Sequence, residues 1–436
     1  MHPESLLPFA TAASSAWRRQ DTRTKKGLVM LKWKYLMGAL VVGAALAGCG
    51  GGDGQAPVQT ETPAAPAEPP APPPPAPVKY SGTLSFGDTI ALTMDAPAPG
   101  KLKLSFVDSA FGLRGTVIGS YARTGSNYSV SGLEADSADP PPANLIGKLA
   151  GIGLSFRLGT DGIVGEISGV PNLLGTSTGL LAGDISASTV TIDPPALSSL
   201  AGTYNVLVNF GIYDQATGKP QVGPVTSPAS MRFDTDGNVQ LCTSVDIATC
   251  ATPQLGKLTL ADQTRFPGAY DLVMNGGGYF RGRVFVNPNA GMRFDMNYAE
   301  AGVVATGTWT IQPARALVAG ELDGTWACSY ANRVADGATA VLDGTLARET
   351  LTVAGGKITL ASRALTLPLL LNKFQDGATL NGLAIATDGD LDAEPGDPAA
   401  VPPTFAHIFL KTGADSLGWL NLSPSSIVQG TCRRAS

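Results

Sequence analysis

Four of the five cysteines, Cys242, Cys250, Cys328 and Cys432, fall in the C-terminal half of this 436-residue chain. Four such thiols suit two chemistries: a pair of disulfides with three possible connectivities, or a tetrahedral metal site. Zinc needs four ligands, and His407 is the only histidine beyond residue 2 to add to the cysteines. The even count therefore reads as two bridges. Proximity and the repeat boundaries described below favour Cys242–Cys250 and Cys328–Cys432. The first would close a loop of nine residues and the second one of 105, contributing about 2.6 and about 4.7 kcal/mol by chain entropy.

Two other constellations carry possible chemistry. In Asp388-Gly389-Asp390-Leu391-Asp392-Ala393-Glu394 the carboxylates of Asp388, Asp390, Asp392 and Glu394 stand at alternate positions, where hard oxygen ligands can converge on calcium. The run departs from an EF-hand loop at Ala393, where a turning glycine belongs, and at Ala399, where a bidentate glutamate should close it. A solvated loop between strands is the alternative; no other cofactor is expected. His407 sits in Phe405-Ala406-His407-Ile408-Phe409, and strand alternation puts Phe405, His407 and Phe409 on one face. That setting reads as a packed or barrel-lining histidine rather than a general base. No Walker or Rossmann glycine pattern occurs. Carboxylate pairs for glycoside hydrolysis carry no local spacing, so a secreted hydrolase remains a third-ranked alternative and an enzyme is not expected.

The fifth cysteine has a different context. Lys32 and Lys34 precede the uncharged stretch Met37-Gly38-Ala39-Leu40-Val41-Val42-Gly43-Ala44-Ala45, which ends in Leu46-Ala47-Gly48-Cys49. A basic start, a short apolar run and small residues before a cut form a secretory signal. The eleven residues 37–47 are too few to span a hydrocarbon core that needs about 20. Leu46-Ala47-Gly48-Cys49 resembles the lipobox of bacterial lipoproteins. The resemblance implies cleavage before Cys49, acylation of that cysteine (palmitate among its chains) and attachment to a membrane. Gly50 follows where Asp would resemble an inner-membrane retention signal, so the resemblance implies the outer membrane, facing either the periplasm or the cell surface. Residues 1–29 sit oddly ahead of a leader that would start naturally at Met30, and read as a mis-called extension.

Cleavage there divides the charge unevenly. The whole chain is at −5, but the part from Cys49 onward has 23 basic against 33 acidic groups and stands at −10. So acidic a body is repelled by anionic headgroups and by nucleic-acid phosphates, leaving the acyl chains as the hold on the membrane. The partners expected are the membrane through its anchor, and an unidentified small ligand or envelope protein; nucleic acid is not expected.

The elements that must position these residues are short. Ten of the 21 residues 57–77 are proline, a semi-rigid polyproline spacer reaching about 65 Å, behind a flexible glycine-rich base. From Lys79 onward the chain alternates, as in Lys101-Leu102-Lys103-Leu104-Ser105-Phe106-Val107 and Met292-Arg293-Phe294-Asp295-Met296. Turn signals recur between such runs, including Thr235-Asp236-Gly237-Asn238 and Ala354-Gly355-Gly356-Lys357. These features predict an all-β protein. Short helices are expected only over 143–154 and 365–374.

Leu200-Ala201-Gly202-Thr203-Tyr204 and Leu322-Asp323-Gly324-Thr325-Trp326 are near copies 122 residues apart, and Tyr80-Ser81-Gly82-Thr83-Leu84 suits a third opening. Each unit holds enough chain for a small barrel or sandwich. Gly324-Thr325-Trp326 resembles the G-x-W opening of lipocalin-type barrels, which implies a tryptophan plugging the barrel floor. The expected organisation is a leader (1–48), a disordered Gly/Pro-rich tether (49–78) and two or three tandem β-barrels or sandwiches (79–198, 199–320, 321–436). First and last strands are neighbours in a closed barrel, which suits Cys328–Cys432. The body weakly resembles the tandem β units of bacterial surface lipoproteins. It is expected to act as a non-catalytic ligand- or protein-binding module of the envelope, or alternatively as a structural accessory of an envelope complex. Were the third unit hollow, Trp326, Phe405, His407, Phe409 and Trp419 would line it.

Overall fold

Alternation along each run gives strands with one apolar and one polar face, and 24 of them form among the described residues. The computed structural model describes residues 76–95, 100–159, 162–190, 194–243, 246–275, 281–287, 291–300, 302–336, 339–373, 379–389, 406–423 and 426–435. The strands close into three antiparallel barrels of eight, each built from consecutive strands. Barrel 1 covers residues 78–189, barrel 2 residues 202–313 and barrel 3 residues 324–434. In each, the opening strand pairs with the last: Tyr80 with Thr189, Val206 with Ile311, Cys328 with Cys432. Closure leaves no free sheet edge for another chain to pair with.

The three opening strands begin at Val78, Gly202 and Gly324, and the third residue of each is an inward aromatic: Tyr80, Tyr204 and Trp326. Two of these rings fasten the lead-in segment in the same way. The Tyr204 hydroxyl donates to the Leu200 carbonyl at 2.7 Å, and Trp326 Nε1 to the Leu322 carbonyl at 2.9 Å. The Arg434 guanidinium then covers the Trp326 ring at 4.7 Å, so an aromatic plug closes this end of barrel 3. Local chemistry sets the turns as well. Gly355 and Gly356 both have positive φ, 57° and 73°, as a two-residue hairpin turn of the primed type requires.

One expected helix forms in part, as the single turn Ala143–Ile146 followed by a 3₁₀ turn at Leu149–Gly151. The other does not. Leu365–Lys373 is a strand, paired through Leu367 with Ile358 and through Leu369 with Ala386. Its leucines fit both periods, but Pro368 lacks the N–H a helix interior needs, and Leu367 and Leu369 drop into the barrel core.

The barrels pack side by side in one body. Leu207 on the outside of barrel 2 meets an apolar stripe of barrel 3 comprising Leu383, Ile385, Ile408, Leu410 and Leu420. Tyr213 of barrel 2 inserts into the core of barrel 1, edge-on to Phe111 with centroids 5.1 Å apart. Barrels 1 and 3 are bridged by Glu166, which accepts from Ser329 Oγ at 2.8 Å and Arg348 Nη2 at 2.7 Å. The Arg348 side chain is 67% exposed, so solvent screens the pair. Arg348→Ala is expected to lower stability by about 1 kcal/mol or less, and less again in high salt. Urea unfolding at two salt concentrations measures it; a loss above about 2 kcal/mol would show the bridge to be essential. Among the described residues no helix is long and apolar enough to cross a membrane.

Candidate functional site

Both expected disulfides are formed, Cys242–Cys250 and Cys328–Cys432. Around the second, the residues expected to line a hollow unit fill the interior of barrel 3 instead. Trp326 is 0% exposed, His407 1%, Phe409 2% and Trp419 2%, which leaves no water-sized gap beside them. Trp419 Nε1 donates to His407 Nδ1 at 3.2 Å, and the Phe409 and Trp419 rings lie near parallel, 7° apart. Burial pushes the His407 imidazole down to about 4, with Arg363 adding to the effect, so it is neutral at pH 7. A ring so enclosed is a core residue. Phe405 lies outside the described residues, as do Cys49 and three of the four acidic positions, Asp390, Asp392 and Glu394. Asp388 is exposed at the end of a strand. No group of three or more His, Cys, Asp or Glu side chains among the described residues is placed to hold a metal ion.

Open space lies between the barrels rather than inside barrel 3. A small cleft of about 30 Å³, continuous with solvent, opens where all three meet. Barrel 1 supplies Ser85 and Phe86 from its first turn, and Ala182 from the strand Leu180–Thr189. Barrel 2 supplies Asn209, Phe210, Gly211 and Tyr213 from one strand, Gly202–Asp214, and Thr306 and Gly307 from its neighbour Val303–Pro313. Barrel 3 reaches the cleft with Gln429 and with a long hairpin, Gly324–Asp336 and Thr339–Ala354, which contributes Ala331, Arg333 and Leu342.

One lining residue, Arg333, is charged. The register of the long hairpin shifts beside it, where Asp343, Gly344 and Thr345 of the second strand stand opposite the single residue Asn332. Its amide donates to Asp343 Oδ2 at 2.7 Å across the hairpin. Ala331 and Arg333, two apart on one strand, share the cleft side by ordinary alternation. Gln429 adds a buried Oε1 without a hydrogen-bond partner among the described residues.

The charges around the cleft are otherwise paired. Asp184 of barrel 1 accepts from Thr431 Oγ1 at 2.5 Å and faces Arg433 of barrel 3 and Arg293 of barrel 2. Burial raises its carboxyl; the Thr431 hydroxyl and the two guanidiniums oppose that rise. Burial pulls the Arg293 and Arg433 guanidiniums below their ordinary value; Asp184 opposes it for both and Glu166 for Arg433. Burial acts likewise on Arg333, where only the Tyr213 hydroxyl opposes it. A short distance away, Asp88 and Asp295, both 0% exposed, meet between barrels 1 and 2. Asp88 accepts from Ser109 and Asp295 from Thr89.

The arrangement is therefore a small cleft of mixed polar and apolar lining with one guanidinium, set in a scaffold of tandem closed barrels. Sequence reading missed it because Arg333 carries no motif. Arg333 stands at an ordinary outward position, in step with Ser329 and Ala331.

By architecture the chain belongs with proteins built from tandem eight-stranded antiparallel barrels. No family model and no curated protein matches it. Among solved structures it is similar to a protein of unknown function from the DUF3598 family of Nostoc punctiforme, at 8% identity and a TM-score of 0.17, over 83% of this chain and 96% of that one.

Proposed function

We propose that the chain is a lipid-anchored, non-catalytic binding module of the bacterial cell envelope, tethered through Cys49 to the outer membrane, with its ligand site in the cleft between the barrels. The small cleft where the three barrels meet, with its one guanidinium, supports the binding half of this reading. The Leu46-Ala47-Gly48-Cys49 resemblance supports the anchor, and two disulfides suit an oxidising compartment. The buried, neutral His407 supports the non-catalytic reading.

Filled barrel interiors favour a second reading, in which the rigid three-barrel body is a structural accessory that docks onto an envelope complex. Metabolic labelling with palmitate, followed by membrane fractionation, tests the anchor. The native chain is expected in the outer-membrane fraction carrying label, and Cys49→Ser is expected to lose the label and leave that fraction. Equal labelling of both would overturn the anchor.

A further inference from the structure

We propose that the junction of the three barrels is a hydration site, in which one ordered water joins Asp184 of barrel 1, Arg293 of barrel 2 and Gln429 of barrel 3. The inference is independent of both the anchor and the ligand reading above.

The outward faces of three strands meet there. Gln429 and Thr431, two apart on the strand Ser426–Arg434, share one face. Thr431 Oγ1 donates to Asp184 Oδ2 at 2.5 Å, and Gln429 Nε2 donates to Thr310 Oγ1 at 3.4 Å. Arg293 Nη1 donates to that same threonine hydroxyl. Each barrel then leaves one atom over. Asp184 Oδ1, Arg293 Nε and Gln429 Oε1 are buried and have no hydrogen-bond partner among the described residues. Asp184 and Arg293 attract one another, yet no ion pair joins them directly among the described residues. Opposite charges held apart, each with an open hydrogen-bonding position, are the setting of a bridging water. Left bare, each such atom would carry the whole loss of its hydration.

The three atoms select the occupant. Two are acceptors and one is a donor, so whatever joins them must donate twice and accept once. Water does both. A halide cannot donate to Asp184 or Gln429, and a metal ion cannot accept from Arg293. The space agrees with this choice. Gln429 lines the cleft of about 30 Å³ beside Ser85, whose Oγ accepts from the Asp184 N–H at 2.8 Å. A water takes about 10–15 Å³ of such room and two to four polar partners. The cleft is continuous with solvent, which gives the water its path of exchange.

A high-resolution crystal structure of the full chain tests this, together with water relaxation dispersion, which counts waters held for longer than the protein takes to tumble. One density peak is expected within about 2.7–3.2 Å of all three atoms, with no anomalous signal after bromide soaking. Asp184→Leu and Gln429→Met are each expected to hold at least one long-lived water fewer than the native chain. Gln429→Met, the milder change, carries the test if Asp184→Leu does not fold. The proposal falls if the peak is missing, if bromide takes its place, if Asp184 and Arg293 stand in direct contact, or if the folded variants keep the native water count.

Discussion

Replacing Cys328 and Cys432 together by serine is expected to lower the unfolding free energy by about 4–5 kcal/mol. The bridge joins residues 104 apart in sequence, so without it the unfolded chain regains the freedom of a very long loop, and that entropy favours unfolding. Both sulfurs belong to the buried core of barrel 3, where Cys328 is 2% and Cys432 0% exposed. Serine there also introduces hydroxyls into an apolar setting, a smaller cost of the same sign. The bridge ties the opening strand Gly324–Asp336 to the closing strand Ser426–Arg434, so its loss strikes the closure of barrel 3 itself. The matched control is Cys242→Ser with Cys250→Ser, whose sulfurs are eight residues apart. There the expected loss is about 2.6 kcal/mol, because the loop released is short. Urea unfolding of both double variants decides the matter through their order. A 328/432 variant no less stable than the 242/250 variant would mean that the loop-entropy account fails here.

The second large effect is a loss of stability as pH rises. Asp295 is 0% exposed between barrels 1 and 2, accepts a hydrogen bond from Thr89, and has an Oδ1 without a hydrogen-bond partner among the described residues. Burial pushes its carboxyl from the ordinary value of 3.8 up to about 7; the Thr89 hydroxyl and Arg283 oppose the rise and Asp108 adds to it. Asp88 nearby is raised in the same direction, again chiefly by burial. A carboxyl whose folded value lies above its unfolded value holds its proton longer in the native state. Its contribution to stability is therefore complete below about pH 4 and is lost as pH climbs through about 7. Full ionisation of Asp295 would remove at most about 4 kcal/mol.

Asp295→Asn keeps an acceptor for Thr89 and removes the charge. It is expected to flatten the fall in stability between pH 5 and pH 8 and to leave the variant more stable than the native chain at pH 8. His407 works with the opposite sign. Its folded value of about 4 lies below the ordinary 6.5, so its contribution is complete above about 6.5 and is lost on acidification toward 4. Unfolding midpoints at pH 5, 6.5 and 8 read the slope. A native profile that rises from pH 6.5 to 8, or an Asp295→Asn profile parallel to it, would mean that Asp295 is ionised without cost in the folded state.

Much of the fold was legible because its causes are local. The alternation Met292-Arg293-Phe294-Asp295-Met296 predicts a strand with Met292, Phe294 and Met296 inward, and those three are core residues of barrel 2. The near copies around Tyr204 and Trp326 mark the openings of two barrels, since the same plug geometry needs the same residues. Trp326, His407, Phe409 and Trp419 were legible as one face but not as a filled one. Whether an inward aromatic lines a cavity or closes it depends on what stands opposite. Here Trp419 faces Phe409 directly across paired strands.

The sequence by itself determined what depends on neighbours along the chain: strand period, turn chemistry and the tandem repeat; among three cysteine pairings it only favoured the one that formed. The tertiary structure alone decided the fate of the outward edges. Arg293, Asp295 and Thr308 sit at polar positions that read as solvent-facing, yet they are 6%, 0% and 1% exposed. They are buried because another barrel lies against them, and the groups that answer them stand far away in sequence. Thr89 is 206 residues from Asp295, and Asp184 is 247 from Thr431. The same distance hid the cleft. That Arg333 meets no carboxylate among the described residues follows from which barrel faces which, and charge pairing depends on separation in space rather than along the chain.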